Sequence, residues 1–535
     1  MHSALTNENK TSPAQQKKKR VVRVAALVFS LRLLAPVAAS TAAENRTDSG
    51  AEGERGLRVG VSADQILAKD FLGFGVQWEY EGQFSDNNIS NAVWAARWPE
   101  IKRRVDFMRP AILRVCHDAS MYSRIENGRI VLDFDSPHMQ AMYQLLDYAQ
   151  SREIPVVFGE WFLPVPYFKV ITSVADPRWS EELIVPFLKH LREKRGYTNI
   201  VYFNLMNEPW GLADGNGPGL KVDFTAWKAA IIRLHSTLEK AGLQDKVGIV
   251  GTDGPGDFGH WIEQTVKDAE LRSCLAAYEY HLYAHLNSDY WLPSLLEGKL
   301  EFGELLPRRL LVNAYDPKGP DKPFFMGEAG IDDGNIGDQQ TNRFNFAYGV
   351  WMADYAIQSM RAGQAGLIAW NMDDAMHSVW GTYGPLALKG WGFWNSLGGT
   401  KGYPADDFAI RPWFYTWSLL CRLFPRGSKP LAVSDSGDSA CRVAAARLPG
   451  GGLSFAVVNE CQTPRSVRVV LSGSGRVTLH EYRYFAADRP VDEHGFPVPS
   501  NIRKSVKTAE GFTVRLPAAG VVFLTTQDPV KLTFP

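Results

Sequence analysis

Between residues 70 and 425 the chain repeats one pattern eight times: a short, continuously apolar run, then a longer amphipathic stretch. The apolar runs are 71–78, 111–115, 155–158, 200–205, 247–250, 275–280, 323–326 and 366–370. Strands that are apolar at every position suit a parallel sheet covered on both faces. The stretches 99–108, 139–151, 181–195, 224–241, 260–272 and 344–361, with a last one at 412–423, carry the spacing of helices that would cover it. Eight strand–helix units in about 350 residues predict a (β/α)8 TIM barrel with insertions. The rival, an open doubly wound sheet, normally carries a G-x-G-x-x-G turn after its first strand, and none follows here.

Past residue 425 the texture changes. Runs at 440–446, 453–459, 466–472, 476–484, 513–516 and 521–525 are separated by Gly, Pro, Asp and Ser, with no helical stretch between them. Short strands in that setting predict a C-terminal antiparallel β-sandwich, to which 57–61 adds a strand from the other side of the barrel. The expected organisation is a leader and linker (1–55), the barrel (56–425) and the sandwich (426–535). In the leader, Lys17-Lys18-Lys19-Arg20 precedes an apolar run, 21–39, and the small residues Ala38-Ala39-Ser40. That order predicts a secretory signal and a secreted or periplasmic protein; an uncleaved membrane anchor is the alternative. Five Cys in 535 residues make no disulfide scaffold or zinc knuckle. Cys441 and Cys461 either pair across neighbouring strands or remain small buried thiols.

Formal charge sums to zero, with 58 basic and 58 acidic side chains, but the balance is a cancellation. Residues 1–55 carry 9 basic and 5 acidic groups, residues 426–535 carry 14 and 9, and the middle block is left with 35 against 44. All 16 Trp also fall in that block, between Trp78 and Trp417. A chain-wide basic field for nucleic acid is absent. An acidic, Trp-rich block suits neutral sugars better than polyanions, and no obligate protein partner is evident.

In a barrel of this kind the reactive groups sit at the C-terminal ends of the strands. The fourth run ends Asn204-Leu205-Met206-Asn207-Glu208-Pro209, and the seventh ends Met326-Gly327-Glu328-Ala329. Two carboxylates on opposite walls of one mouth are what glycoside hydrolysis needs: an acid for the leaving oxygen and a carboxylate for the anomeric carbon. Glu79, Glu160, Asp253 and Glu279 also lie near strand ends and read as accessory groups; Glu79 and Glu160 are expected to bind sugar hydroxyls. His281 with His285 supplies at most two ligands where zinc wants three or four, so neither metal nor cofactor is expected. The connection 371–410 holds Trp380, Tyr383, Trp391 and Trp394, suited either to stacking on sugar rings or to a small core that pins the loop. Asp373, Asp374 and His377 at its start are candidates for hydroxyls or a structural cation.

Asn207-Glu208-Pro209 together with Glu328 resembles the large clan of retaining (β/α)8 glycoside hydrolases that contains families 5, 30 and 39, with the closest resemblance to family 5. The resemblance covers roughly residues 70–425. It implies hydrolysis of a β-linked glycan by double displacement, with Glu208 as general acid/base and Glu328 as nucleophile, kept ionised by Arg114 and Tyr283. It further implies that Asn207 binds the sugar 2-hydroxyl, that His281 orients the acid, and that Trp370 offers a face to the sugar ring. The family's His at the end of strand three has no counterpart in Phe158-Gly159-Glu160-Trp161. A non-catalytic carbohydrate-binding relative is the alternative.

Overall fold

The computed structural model describes residues 55–529, apart from 79–89, 162–166, 168, 210–221, 256–260, 286–288, 333–340, 379–385, 400–406 and 474. The leader, with its signal-like segment, and Glu79, Trp380 and Tyr383 lie outside the described residues, as does the side chain of His377.

The chain enters as β1 (Arg55–Ile66) and continues into β2 (Gly73–Gln77) and β3 (Leu113–His117). A hairpin, β4 (Ser123–Glu126) and β5 (Arg129–Leu132), precedes β6 (Val156–Glu160) and β7 (Ile200–Asn204). Then come β8 (Gly248–Pro255), β9 (Leu275–His285), β10 (Phe324–Asp332) and β11 (Gly366–Ala369). Strands β2, β3, β6, β7, β8, β9, β10 and β11 close into one barrel, every pair parallel. Each expected apolar run supplies one of these strands. The seam differs in one respect: β9 and β10 run on past the apolar residues and stay paired from Glu328–His281 to Asp332–His285. His281, Tyr283 and Glu328 therefore lie within strands rather than after them.

A strand's side chains alternate, so every second residue faces the barrel axis. Leu72, Ile112, Val157, Val250, Ala277, Phe325 and Ile368 pack together there and fill the lower interior. Following that parity toward the mouth leads from Ile112 to Arg114, and from Ala277 to Glu279, His281 and Tyr283. The interior thus changes from apolar to charged within one layer.

The helices start on local signals. Asn91 accepts hydrogen bonds from the Val93 and Trp94 N–H groups at 3.0 and 3.3 Å, and so opens the helix Ala92–Met108. The expected start at Pro99 is displaced because this cap lies further back, leaving the proline inside the helix.

After β11 a hairpin, β12 (Ala375–Ser378) and β13 (Leu386–Lys389), leads to the last helix, Trp413–Leu423. Beyond it come β14 (Lys429–Val433), β15 (Cys441–Arg447), β16 (Leu453–Asn459), β17 (Arg465–Leu471), β18 (Arg476–Tyr484), β19 (Asn501–Lys507), β20 (Phe512–Leu516) and β21 (Gly520–Thr525). With β1 they form one nine-stranded sheet in the order β19-β18-β21-β16-β15-β14-β1-β17-β20. All its pairs are antiparallel except β1 with β17. The sheet folds over a core of its own, in which Phe455 of β16 meets Phe512 of β20 edge to face at 5.3 Å. Strand β1, which a boundary at residue 56 assigns to the barrel, thus belongs to this sheet, because its residues Leu57, Val59 and Val61 are buried in that core. The five cysteines are free thiols, Cys441 and Cys461 included.

The sheet buries its second face against the barrel. Ala444, Ala446, Ala456, Val458, Val521 and Phe523 join the main core, and Tyr484 stacks on Phe346 with ring centres 4.6 Å apart. An ion pair spans this interface: Arg442 Nε donates to Asp354 Oδ1 at 2.6 Å and Nη2 to Oδ2 at 2.5 Å, with both residues buried. Removing one partner of such a pair strands the other charge. Asp354→Ala is therefore expected to cost about 3–5 kcal/mol in urea denaturation, and a loss below about 1 kcal/mol would contradict a closed interface.

Candidate active site

Arg114 is wholly buried in the polar layer, and its guanidinium hydrogen-bonds four neighbours from around the barrel and lies near a fifth. Nη1 donates to Gln77 Oε1 at 2.9 Å and to Glu328 Oε1 at 2.7 Å. Nη2 donates to Asn207 Oδ1 at 2.7 Å and to Asp253 Oδ1 and Oδ2 at 3.1 and 3.2 Å. Nε lies 3.5 Å from Glu279 Oε1. Because Asn207 accepts through Oδ1, its amide N–H groups are turned away from the arginine.

Tyr283 donates its hydroxyl to Glu328 Oε2 at 2.7 Å, so both oxygens of that carboxylate are held. Burial pushes the Glu328 carboxyl upward in pKa, against the downward pull of His281, Arg114 and the Tyr283 hydrogen bond. Arg114 and Tyr283, the partners expected to favour the ionised form, both reach the carboxyl, and burial opposes them. On the facing side, His281 Nδ1 lies 2.8 Å from Glu208 Oε1, and Nε2 lies 2.9 Å from Asp253 Oδ1. Burial alone would neutralise the ring, but Glu328 and Asp253 outweigh it and raise the pKa well above that of free imidazole. Each ring nitrogen thus faces a carboxyl oxygen, an arrangement that favours the protonated ring. Burial also opposes ionisation of Asp253, yet Arg114 and His281 hold its pKa at about 2.

Oxygens of Glu208 and Glu328 lie within 4.8 Å of each other and of the His281 ring nitrogen. Glu328 is 5% exposed, whereas the Glu208 side chain is 34% exposed. Glu208 leaves β7 in a left-handed backbone conformation with φ 44°, fixed by its N–H donating to the Asp253 carbonyl at 3.0 Å. Asn207 is fixed in the same way by the Glu160 carbonyl at 2.8 Å. The two clusters Glu208–His281–Glu328 and Asp253–Glu279–His281 are compact enough to crowd a cation, but Arg114 and the imidazolium already supply positive charge there.

One wall is aromatic. Trp370 is 8% exposed and meets Trp391 at 5.1 Å and Trp161 at 6.0 Å, both edge to face, with Tyr283 packed beside them. Arg343 donates to the backbone carbonyls of both Trp370 and Trp391 and ties the two segments together. Trp391 thus lies on the wall, whereas Trp394 is sealed against Phe393 and Phe414. Asp374 pairs with Arg411, and Asp373 accepts the Asp374 and Ser396 N–H groups, so both carboxylates brace the loop.

All seven residues expected at the site, Arg114, Asn207, Glu208, His281, Tyr283, Glu328 and Trp370, lie at this mouth. Glu160 does not reach it: the side chain is enclosed, accepting from Tyr122 at 2.7 Å with His117 Nε2 3.2 Å away. Gln77 and His117 escaped the sequence reading; reading back along the strand parity from the mouth picks out Gln77, two residues beyond Gly75.

Gly327 shows how tightly the layer is packed. A Cβ there would lie 1.5 Å from Glu279 Oε1 and 2.4 Å from Cδ. Gly327→Ala must displace either the buried carboxyl or the β10 backbone that carries Glu328, an overpacking cost of about 1–3 kcal/mol. Thermal denaturation is expected to show that loss, and pairing it with Glu279→Ala to return part of it; purely additive effects would refute the clash.

No family model matches this sequence, and no curated relative matches it. Similarity appears among solved structures. A GH30 endoxylanase from Clostridium papyrosolvens aligns over 88% of this chain and 100% of its own, with a TM-score of 0.60 and 13% identity. A monomeric beta-xylosidase from Caulobacter crescentus aligns over 88% and 99% (TM-score 0.58, 16% identity). A GH51 arabinofuranosidase from Xanthomonas axonopodis pv. citri aligns over 89% and 100% (TM-score 0.57, 12% identity). Both the barrel and the β-sheet domain are thus of a kind found in solved glycoside hydrolases, and this chain has their fold.

Proposed function

We propose that this protein is a retaining glycoside hydrolase that cleaves a β-linked glycan or glycoside by double displacement. The observation that carries the reading is the facing pair Glu208 and Glu328, with oxygens within 4.8 Å. Retaining enzymes need carboxyl groups roughly 5–5.5 Å apart, and the wider inverting geometry of about 6.5–9.5 Å leaves room for a water. Glu328, held at both oxygens and aimed by Arg114 and Tyr283, is the nucleophile. Glu208, half-exposed and bonded to His281, is the acid/base, since it must meet first the leaving oxygen and then water.

Asn207 turns its amide toward the sugar 2-hydroxyl, and Trp370 with Trp391 and Trp161 gives the ring an apolar wall. No cofactor is required. The order of basic, apolar and small residues in the first 40 positions supports action outside the cytoplasm. The structural neighbours include an endoxylanase, a beta-xylosidase and an arabinofuranosidase, so pentose-containing glycans head the substrate panel, followed by β-glucans and mannans.

Glu328→Ala is expected to lower turnover of an activated aryl glycoside at least about 10³-fold; near-normal turnover would sink the assignment. Proton NMR of fresh product should show the substrate's own anomer first, and inversion would contradict the mechanism. Tyr283→Phe removes a hydrogen bond that favours the Glu328 carboxylate. Since burial already pushes that group up, its pKa should rise further, and the acid limb of kcat/KM should move to higher pH by about half to one unit. An unmoved limb would mean that Tyr283 does not stabilise the reacting carboxylate.

A further inference from the structure

Below the two reacting glutamates lies a third glutamate with no assigned role. Glu279 is fully buried, two residues before His281 on the same face of β9. Its carboxyl is wedged against Gly327, its cationic neighbour Arg114 approaches only to 3.5 Å, and it lies within 4.8 Å of an Asp253 oxygen while neither of its own oxygens accepts a hydrogen bond among the described residues. A buried carboxyl that no donor reaches, beside a second buried carboxyl, is stable only with a proton on it.

Counting charge leads to the same place. The polar layer holds two cationic groups, Arg114 and His281, and four carboxyls, Asp253, Glu279 and Glu328, which are buried, and Glu208, which opens to solvent. With Glu208 loaded as the acid, as the proposed function requires, neutrality leaves room for only two carboxylates. Asp253 accepts from both cations and Glu328 from Arg114 and Tyr283, which leaves Glu279 as the neutral member.

We propose that Glu279 retains a proton and donates it to Asp253, so that Glu279, Asp253, His281 and Glu208 form one proton-sharing chain that sets when the acid/base loses its proton. Glu279 is a positioning residue: it touches no substrate and acts through Asp253 and His281. The charged and titratable groups facing it are Arg114 on β3, Asp253 on β8 and His281 on its own strand. Burial first, then the Asp253 charge, pushes the Glu279 carboxyl well above the ordinary range, in accord with this assignment. When Glu208 gives its proton to the leaving oxygen, the new carboxylate meets an imidazolium already anchored by Asp253. The buried proton keeps Asp253 from becoming a stronger competitor for His281.

The proton is read directly by infrared difference spectroscopy of the full chain in the Glu208→Gln background, where the acid/base contributes no carboxyl signal. A neutral carboxylic-acid carbonyl stretch at pH 7 that disappears when Glu279→Gln is added is the expected result; absence of that band overturns the proposal. This measurement needs no turnover, so it stands apart from any failure of the glycosidase reading. The role is read from pH profiles. Glu279→Met keeps the volume but removes the donor, so Asp253 draws the His281 proton toward itself and Nδ1 becomes a poorer donor to Glu208. The alkaline limb of kcat/KM should then move up by about half a pH unit, and Glu279→Gln, which still donates, should restore it. Equal limbs in all three proteins would overturn the chain while leaving both glutamate roles intact.

Discussion

The charged layer of the barrel is organised by a single guanidinium. Arg114 sits where eight parallel strands converge, out of contact with water, and a bare cation there would cost several kcal/mol. It is tolerated because β2, β8, β9, β10 and the segment after β7 each present an oxygen to it. Its fork is rigid and planar, so satisfying it also fixes the relative positions of those walls. The same bonds that cancel the buried charge thus hold Glu328 and Asn207 in register with each other. Lysine at this position would offer a point charge without the fork, and the walls would lose their common reference.

Apolar residues below and charged residues above share one axis, and two-residue periodicity places both. On β9 the inward face reads Ala277, Glu279, His281, Tyr283, passing from the packed base to the mouth in three steps. Because β9 and β10 stay paired beyond the apolar layer, His281, Tyr283 and Glu328 are held by strand hydrogen bonds rather than by a loop. Reacting groups on rigid elements keep their geometry better than groups on loops, which matters where misplacement by 1 Å is costly. The sheet domain adds to this rigidity from outside, since its second face covers the helix Phe346–Arg361 that supports β10 and β11.

Much of this could be read from the chain. The eight strands stand out because parallel strands are apolar at every position, and Glu208 and Glu328 because they follow such runs toward the mouth, although Glu160, placed alike in the sequence, turns away from it. In the sheet domain the expected runs coincide with β15, β16, β17, β18, β20 and β21, while β14 and β19 do not stand out. Strand β19 is an exposed edge with little apolar content. Strand β14 carries Pro430, which argues against a strand from sequence alone. The partnerships inside the site were the least legible. Nothing in the sequence tells that Glu160 faces Tyr122 and His117 while Asp253 faces Arg114, because which strand end adjoins which is decided by barrel closure and register.

Closure also explains why the two reacting carboxyls differ. Glu328 stays in its strand and is buried among donors, whereas Glu208 lies four residues past the end of β7 and turns outward through a left-handed backbone. Such a conformation costs a non-glycine residue about 1–3 kcal/mol, and Asp253, whose carbonyl holds the Glu208 N–H, adopts it too, with φ 55°. Two adjacent strand ends therefore share the strain and brace one another. The turn gives an asymmetry that a straight strand could not: one carboxyl sealed and held at both oxygens, the other open to solvent. In the proposed function, that division of exposure is what would separate the nucleophile from the acid/base.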